Sequence, residues 1–184
     1  MLQPEFDPFP VLSTQRLLLR KIELSDAAQI LQMRSNPAIM QYISRPLMHT
    51  EAEAIALIEL ILQELQQNNG ITWAIALKEK PEMLIGTIGF WRIIKAHFRA
   101  EIGYMLMPEY SGKGLATEAI KESIQYAFGQ MGLHSIEANI DPTNKASEAV
   151  LRKCGFVQEA YFKENFFFDG RFLDSAIFSL VNNA

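Results

Sequence analysis

The segment from Met107 to Ile120, MPEYSGKGLATEAI, contains the residues whose types and spacing point most directly to chemistry. Gly112 and Gly114 flank a lysine, and the residues that follow are typical of the start of a helix. The first amides of a helix lack partners inside the helix and carry partial positive charge, so they suit a phosphate. Two glycines and the small Ala116 would let the backbone approach that phosphate closely. The segment therefore predicts either a phosphate-binding turn or a plain connection from a strand to a helix.

Two common phosphate-binding motifs do not fit this segment. A P-loop requires four residues between its first glycine and a Gly-Lys-Ser/Thr sequence, and Gly112 and Gly114 are too close together for that. A dinucleotide fingerprint requires a third glycine where this chain has Thr117, and it belongs to the first strand of its fold. The remaining interpretation is a strand that ends at Met107, a turn, and a helix whose free amides face a pyrophosphate.

The composition narrows the class of protein. The chain has 184 residues, of which 49% are apolar and 21% charged, and this predicts one domain over residues 1–184 with an ordinary buried core. The net charge of -4 argues against a nucleic-acid binder. The N-terminal sequence lacks the basic segment of a secretory signal, and no apolar run reaches membrane-spanning length. We therefore expect a cytoplasmic protein without membrane contact.

The sequence offers no pattern typical of a metal site. Cys154 is the only cysteine, which rules out an intrachain disulfide and a cysteine metal cluster. The three histidines, His49, His97 and His134, are scattered and show no ligand spacing. We therefore expect no metal cofactor.

The pattern of apolar and turn residues predicts the elements that must hold the glycine segment. Strand patterns occupy five regions, namely 16–22, 72–91, 99–107, 134–140 and 161–180. The regions 72–91 and 161–180 are each predicted to be a hairpin of two strands. Helical patterns begin near four residues: Asp26, Thr50, Leu115 and Asn144. The order predicts a mixed α/β fold with one central mixed β-sheet flanked by about four helices. We expect the aromatic cluster of Phe166, Phe167, Phe168 and Phe172 to be core on one face, with part of it over a substrate groove or a dimer surface.

Several motifs, in their order and spacing, resemble the GNAT superfamily of acetyl-CoA-dependent N-acetyltransferases. The glycine segment matches that family's pyrophosphate loop, Gln/Arg-x-x-Gly-x-Gly/Ala, at Gly114 and Ala116, whereas Ser111 departs from the first position. Four segments resemble the branch of this superfamily that acetylates ribosomal-protein N-termini. They are the opening TQRLLLRKIELSDA, the pair GKGLATEA and NKASEAVLRKCGF, and the terminal DGRFLDSAIFSL. The likeness covers nearly the whole chain.

This resemblance implies where acetyl-CoA binds. Its pantetheine arm would pair with the strand backbone at Met105, Leu106 and Met107. Its pyrophosphate would meet the backbone of the loop, that is, Gly112, Lys113, Gly114, Leu115, Ala116 and Thr117. The Lys113 side chain either reaches a phosphate or stays solvated. Asn144 would hold the pantetheine region, with Ser147 near the sulfur, because residues three apart share a helix face.

The resemblance does not determine which residues are catalytic. Better-known members of the superfamily use a glutamate and a tyrosine where this chain has Asn139 and Leu151, which cannot act as base and acid. Ser147 is the acid proposed in the ribosomal branch, or a polar residue in the first turn of a helix. Glu101 shares a strand face with Met105 and is a candidate base, or a carboxylate that faces solvent or forms a salt bridge.

The sequence therefore predicts an enzyme in which an amine attacks acetyl-CoA directly in a ternary complex. We expect the acceptor to be the N-terminal α-amine of a protein, such as a ribosomal protein. The alternatives are acetylation of a small amine (polyamine, amino acid or antibiotic) and a non-catalytic acyl-CoA-binding module. The expected oligomeric state is a monomer or a homodimer.

Overall fold

A computed structural model describes residues 1–182 and contains one sheet of eight strands. The strands are β1 (Leu12–Ser13), β2 (Leu17–Lys21), β3 (Ile71–Leu77), β4 (Lys80–Ile94), β5 (Arg99–Leu106), β6 (Ser135–Ile140), β7 (Val157–Phe168) and β8 (Arg171–Val181). Their order across the sheet is β1-β2-β3-β4-β5-β6-β8-β7, and only β5 and β6 are parallel neighbours. β1 was not predicted, and β4 begins at Lys80, inside the segment KEKPEM that we expected to be the turn of the hairpin at 72–91.

Five α-helices lie on the two faces of the sheet in residues 1–182. They are α1 (Ala27–Arg34), α2 (Pro37–Met40), α3 (Glu51–Gln66), α4 (Leu115–Gly129) and α5 (Lys145–Lys153). The front face is the one that carries Ala74 and Met105, which pack with α1, α2 and α3. The back face carries Trp73 and Phe90, which pack with α4 and α5. The mixed α/β fold that we expected is confirmed, with the short α2 as an additional element. None of the helices described here is long and apolar enough to cross a membrane.

Side chains cap α3 and α5 at the predicted positions, whereas Asp26 at the start of α1 makes no side-chain cap. Thr50 Oγ1 accepts the amide of Glu53, and the Glu53 carboxylate accepts the amide of Thr50, so a capping box begins α3. Asn144 Oδ1 accepts the amide of Ser147 at 3.0 Å at the start of α5. Each of these bonds satisfies an amide that the helix itself leaves without a partner.

The buried side of α4 differs from the predicted apolar face, which the helical spacing of Ala116, Ile120, Ile124 and Phe128 defines. Ile120 is buried, but Ala116, Ile124 and Phe128 are only half-buried. The apolar side chains that enter the core are Leu115, Ala119, Ile120, Tyr126 and Ala127. Ala116 therefore remains accessible in the first turn of the helix.

The hairpin of β7 and β8 does not bury its aromatic cluster. β6 pairs only with the second half of β8, so the rest of the hairpin projects beyond the end of β6. Phe166, Phe167 and Phe172 on this projection are 43%, 61% and 64% exposed, and Phe168 is half-buried. The prediction that the cluster is core was wrong, because core burial needs a neighbouring element and β6 ends too early to supply it.

Candidate active site

β5 and β6 pair at their beginnings and then separate. The last paired residues are Glu101 and Glu137, and no further pair follows in residues 1–182 although β5 continues to Leu106 and β6 to Ile140. β5 stays bonded to β4 along this stretch, and β6 stays bonded to β8. The divergence leaves a wedge-shaped gap in the sheet, with an open strand edge on each side.

Successive residues of β5 direct their backbone N–H and C=O groups alternately toward β4 and into this gap. Met107 donates its amide to the carbonyl of Ile85 at 2.9 Å. Because every second residue of an antiparallel strand bonds to the same neighbour, Met105 also directs its backbone to β4. Tyr104 and Leu106 direct their N–H and C=O groups into the gap. Of the three residues expected to pair with pantetheine, the geometry therefore favours Leu106 over Met105 and Met107.

The glycine segment connects β5 to α4 with the backbone shape expected of a phosphate-binding turn. Gly112 and Gly114 have φ of 73° and 78°, in the left-handed region that glycine adopts readily. Residues 111–114 are exposed, and Gly114 is the N-cap of α4 without a side-chain cap. The backbone from Lys113 to Thr117 thus surrounds an accessible helix N-terminus, where an anion is favoured. The Leu115 side chain is buried in the core, so only its backbone is available to a ligand.

Two residues that the sequence did not single out hold this turn in place. The Glu118 carboxylate accepts hydrogen bonds from the backbone amide of Arg16 at 2.8 Å and from its guanidinium. Arg16 also donates to the carbonyl of Lys113 at 3.0 Å, and Thr14 donates to Glu118. Burial raises the pKa of Glu118, but these hydrogen bonds outweigh it and the net shift is downward. The resulting ionised pair ties the start of α4 to the residue that precedes β2.

Ser147 and Tyr104 form a partly buried hydroxyl pair on the back face of the gap. Ser147 Oγ lies 2.6 Å from the phenolic oxygen of Tyr104. Burial raises the pKa of Tyr104 to about 12, against an opposing effect of the Ser147 hydrogen bond. The phenol therefore stays protonated at neutral pH and can donate to Ser147 Oγ, which leaves the serine hydrogen free to point toward a ligand in the gap. Sequence reasoning missed Tyr104 because it followed the other face of β5.

Glu101 lies on the front face of the gap, opposite to the hydroxyl pair. Its side chain is only 10% exposed, and its carboxylate is 2.9 Å from the Arg92 guanidinium. Burial raises the pKa of Glu101, while the charge of Arg92 and a hydrogen bond from Trp91 lower it, and the net shift is upward. The salt bridge that we named as an alternative is therefore present, and the carboxyl still has the raised pKa that suits a base.

Comparison with known proteins decides the family of this chain. A family model described as an acetyltransferase (GNAT) domain matches residues 16–157. The chain belongs to the GNAT family. An uncharacterized N-acetyltransferase of Bacillus subtilis, YoaA, is 36% identical to this GNAT chain over 173 residues, 94% of this chain and 97% of YoaA. The [ribosomal protein uS5]-alanine N-acetyltransferase of Escherichia coli is 34% identical over 99 residues, 53% of this chain and 51% of that protein.

A solved structure adds the cofactor to this comparison. Spermidine N-acetyltransferase from Vibrio cholerae, in complex with CoA and spermine, superposes with a TM-score of 0.79 at 28% identity. The match covers 90% of this chain and 95% of that one. The GNAT protein described here is thus an acetyl-CoA-dependent N-acetyltransferase, as the sequence predicted, and the alternative of a non-catalytic module is set aside. Among residues 1–182, no group of three or more histidine, cysteine, aspartate or glutamate side chains is arranged to hold a metal ion.

The hydroxyl pair leads to a prediction about Ser147. We expect Ser147→Ala to lower kcat about three- to tenfold with little change in the KM for acetyl-CoA, because a thiol with a pKa near 8.5 already leaves tolerably at neutral pH. Tyr104→Phe should lower kcat in the same way. The double variant should be no slower than Ser147→Ala, because Tyr104 acts through the serine.

Tyr126→Phe is the matched control for this measurement. Tyr126 likewise has a pKa raised to about 12 by burial, but it lies in the core, where it packs against Trp73. Removal of the Tyr126 hydroxyl should leave kcat and the KM for acetyl-CoA unchanged. A raised KM with an intact kcat in Ser147→Ala would show instead that the serine only positions the cofactor.

Proposed function

We propose that this GNAT enzyme acetylates the N-terminal α-amine of a protein or peptide. The pyrophosphate of acetyl-CoA would lie against residues 112–117, and the pantetheine arm would enter the gap along the backbone of Leu106. Asn144 and Ser147 would flank the thioester from the back face. Because cofactor and α5 would occupy that side, the amine would approach from the front face, where Glu101 lies.

The observation that carries the choice of acceptor is the pairing of Glu101 with Arg92. Burial raises the pKa of this carboxyl, and the arginine limits that rise, so Glu101 is a base of moderate strength. An α-amine with a pKa near 8 needs only about 1.4 kcal/mol to be neutral at pH 7, whereas a lysine near 10.4 needs roughly 4.6 kcal/mol. A base of moderate strength can neutralise an α-amine far more easily than a lysine side chain. The exposed Asn139, on the same face, adds no further base.

The reaction follows from this arrangement of groups. The amine nitrogen attacks the thioester carbonyl carbon and gives its proton to Glu101, directly or through water. A β5 amide that faces the gap, from Tyr104 or Leu106, holds the developing oxyanion. The carbon–sulfur bond then breaks, and the CoA thiolate leaves with a hydrogen bond from the Ser147 hydroxyl. The proton held by Glu101 passes to solvent, and solvent protonates the thiolate. We propose that the reaction takes place in the cytoplasm.

A small amine is the second candidate acceptor. It is favoured by the similarity to the Vibrio cholerae spermidine acetyltransferase, which covers most of both chains, whereas the match to the ribosomal-protein enzyme covers about half. The two acceptor classes differ in charge, since a polyamine carries several cations and a protein N-terminus carries one at the reacting nitrogen.

Mass spectrometry on one peptide tests the proposal. The peptide carries a free N-terminus and an internal lysine, and fragment spectra locate the acetyl group. We expect acetylation at the N-terminus, and no reaction with the same peptide when its N-terminus is blocked. Acetyl mainly on the lysine would overturn the assignment. Acetylation of spermidine with neither peptide position modified would favour the small-amine acceptor.

A further inference from the structure

The front face beside the gap contains two carboxylates, and each is paired with an arginine. Glu101 contacts Arg92 at 2.9 Å, and Glu137 contacts Arg99. The two glutamates are themselves neighbours on β5 and β6, at the last pair before the strands separate. Around them is a cavity of about 230 Å³, lined by Arg92, Ile94, Arg99, Ala100, Glu101 and Glu137. The charges in this cavity, two negative and two positive, cancel.

Arg92 reaches Glu101 because of an irregularity in β4. The strand has one extra residue between the pairs Trp91 with Glu101 and Ile94 with Arg99, which is a β-bulge. Arg92 sits in this bulge with a φ of 45°, a left-handed conformation that is unfavourable for a residue with a side chain. In a regular strand, successive residues would point to opposite faces. The bulge instead brings Trp91 and Arg92 together at the same carboxylate.

We infer that this neutral cavity receives the part of the acceptor next to its reacting amine, and that Arg92 is a specificity-determining residue that disfavours polycationic acceptors. The inference rests on the approach of the acceptor from the front face, as proposed above. A second cation on the acceptor meets Arg92 and Arg99 without a free carboxylate to pair with. A cation that loses water at a binding site without gaining an opposite charge is disfavoured there. An acceptor whose only cation is the reacting amine avoids this penalty.

Matched acceptors that differ by one remote charge test the inference. Two peptides with a free N-terminus differ only in a second residue of glutamine or arginine, and a monoamine and a diamine of equal chain length form a second pair. We expect the wild-type enzyme to prefer the less charged member by roughly three- to tenfold in kcat/KM, since Arg92 is largely exposed. Arg92→Gln should abolish or invert that preference. Both acceptors are measured with the same enzyme variant. The ratio of their kcat/KM values therefore cancels any effect of the substitution on the chemical step that they share.

Two further variants complete the experiment. Arg92→Lys keeps the positive charge and should keep the wild-type ratio, whereas Arg92→Gly should lose it even though glycine suits the left-handed backbone. Lys80→Gln removes a charge at the far end of β4 and should change nothing. An unchanged ratio in Arg92→Gln would overturn the inference whether or not peptides are the acceptors. Conversely, a ratio that shifts for the amine pair while peptides do not react would refute the proposed acceptor and support the role of Arg92.

Discussion

Replacing Ala116 with glutamate should weaken CoA binding about a hundredfold while the protein stays folded. A carboxylate about 5 Å from the pyrophosphate costs roughly 3 kcal/mol at an effective dielectric constant near 20. The same residue is acceptable to the free protein, because an acidic side chain in the first turn of a helix interacts favourably with the helix dipole. Ala116 lies in the first turn of α4 and is half-buried, so the longer side chain has a route to solvent.

Isothermal titration calorimetry with CoA measures this effect, and two controls separate charge from size. Ala116→Gln has the same shape without the charge and should bind CoA within a few-fold of the wild type. S-acetylpantetheine lacks the pyrophosphate, so the glutamate variant should accept it as well as the wild type does. Equal CoA affinity in Ala116→Glu and Ala116→Gln would show that the pyrophosphate does not bind at this loop. Gly114 is a less suitable test, because its φ of 78° makes any side chain there strained without a ligand.

The second large effect is expected from Glu101→Gln, which should lower kcat/KM by about ten- to a thousandfold. Glutamine has nearly the same shape and its side-chain oxygen can still accept the Arg92 hydrogen bond, but it cannot take a proton from the amine. Burial makes the ionised form of Glu101 costly in the folded protein, so a neutral side chain should leave the melting temperature close to that of the wild type. Steady-state kinetics with the N-terminal peptide measures the loss.

The pH profile distinguishes a base from a structural residue. Two groups must lose a proton for the wild-type reaction, namely the amine and Glu101, whose pKa burial raises. Below both pKa values, kcat/KM should therefore fall by two powers of ten per pH unit, and in Glu101→Gln by only one. Glu148→Gln, which removes a glutamate paired with Lys145 and Arg152 on α5, should keep the wild-type profile. A full-rate Glu101→Gln enzyme would exclude Glu101 from the mechanism.

The local features of this protein could be predicted from its sequence. Thr50 with Glu53 begins α3, and Asn144 begins α5, because a cap depends on residues three positions apart. The mixed α/β order of elements followed from periodicity and turn residues, and the resemblance of several motifs to known GNAT proteins indicated the family. The turn that precedes α4 was also predicted from the glycine segment, and Gly112 and Gly114 in that turn have the positive φ that glycine permits.

The tertiary structure alone decided which groups meet at the gap and at the glycine turn. Tyr104 and Ser147 are 43 residues apart in the chain, and Arg16 and Glu118 are 102 apart. Their contacts depend on strand register and on helix placement, which no local pattern specifies. The bulge that turns Arg92 toward Glu101 has the same origin, because an extra residue in β4 is defined only against its partner β5. The choice of Leu106 over Met105 and Met107 also depends on the ladder with β4, because pairing, and not residue type, determines which backbone groups of a strand remain free.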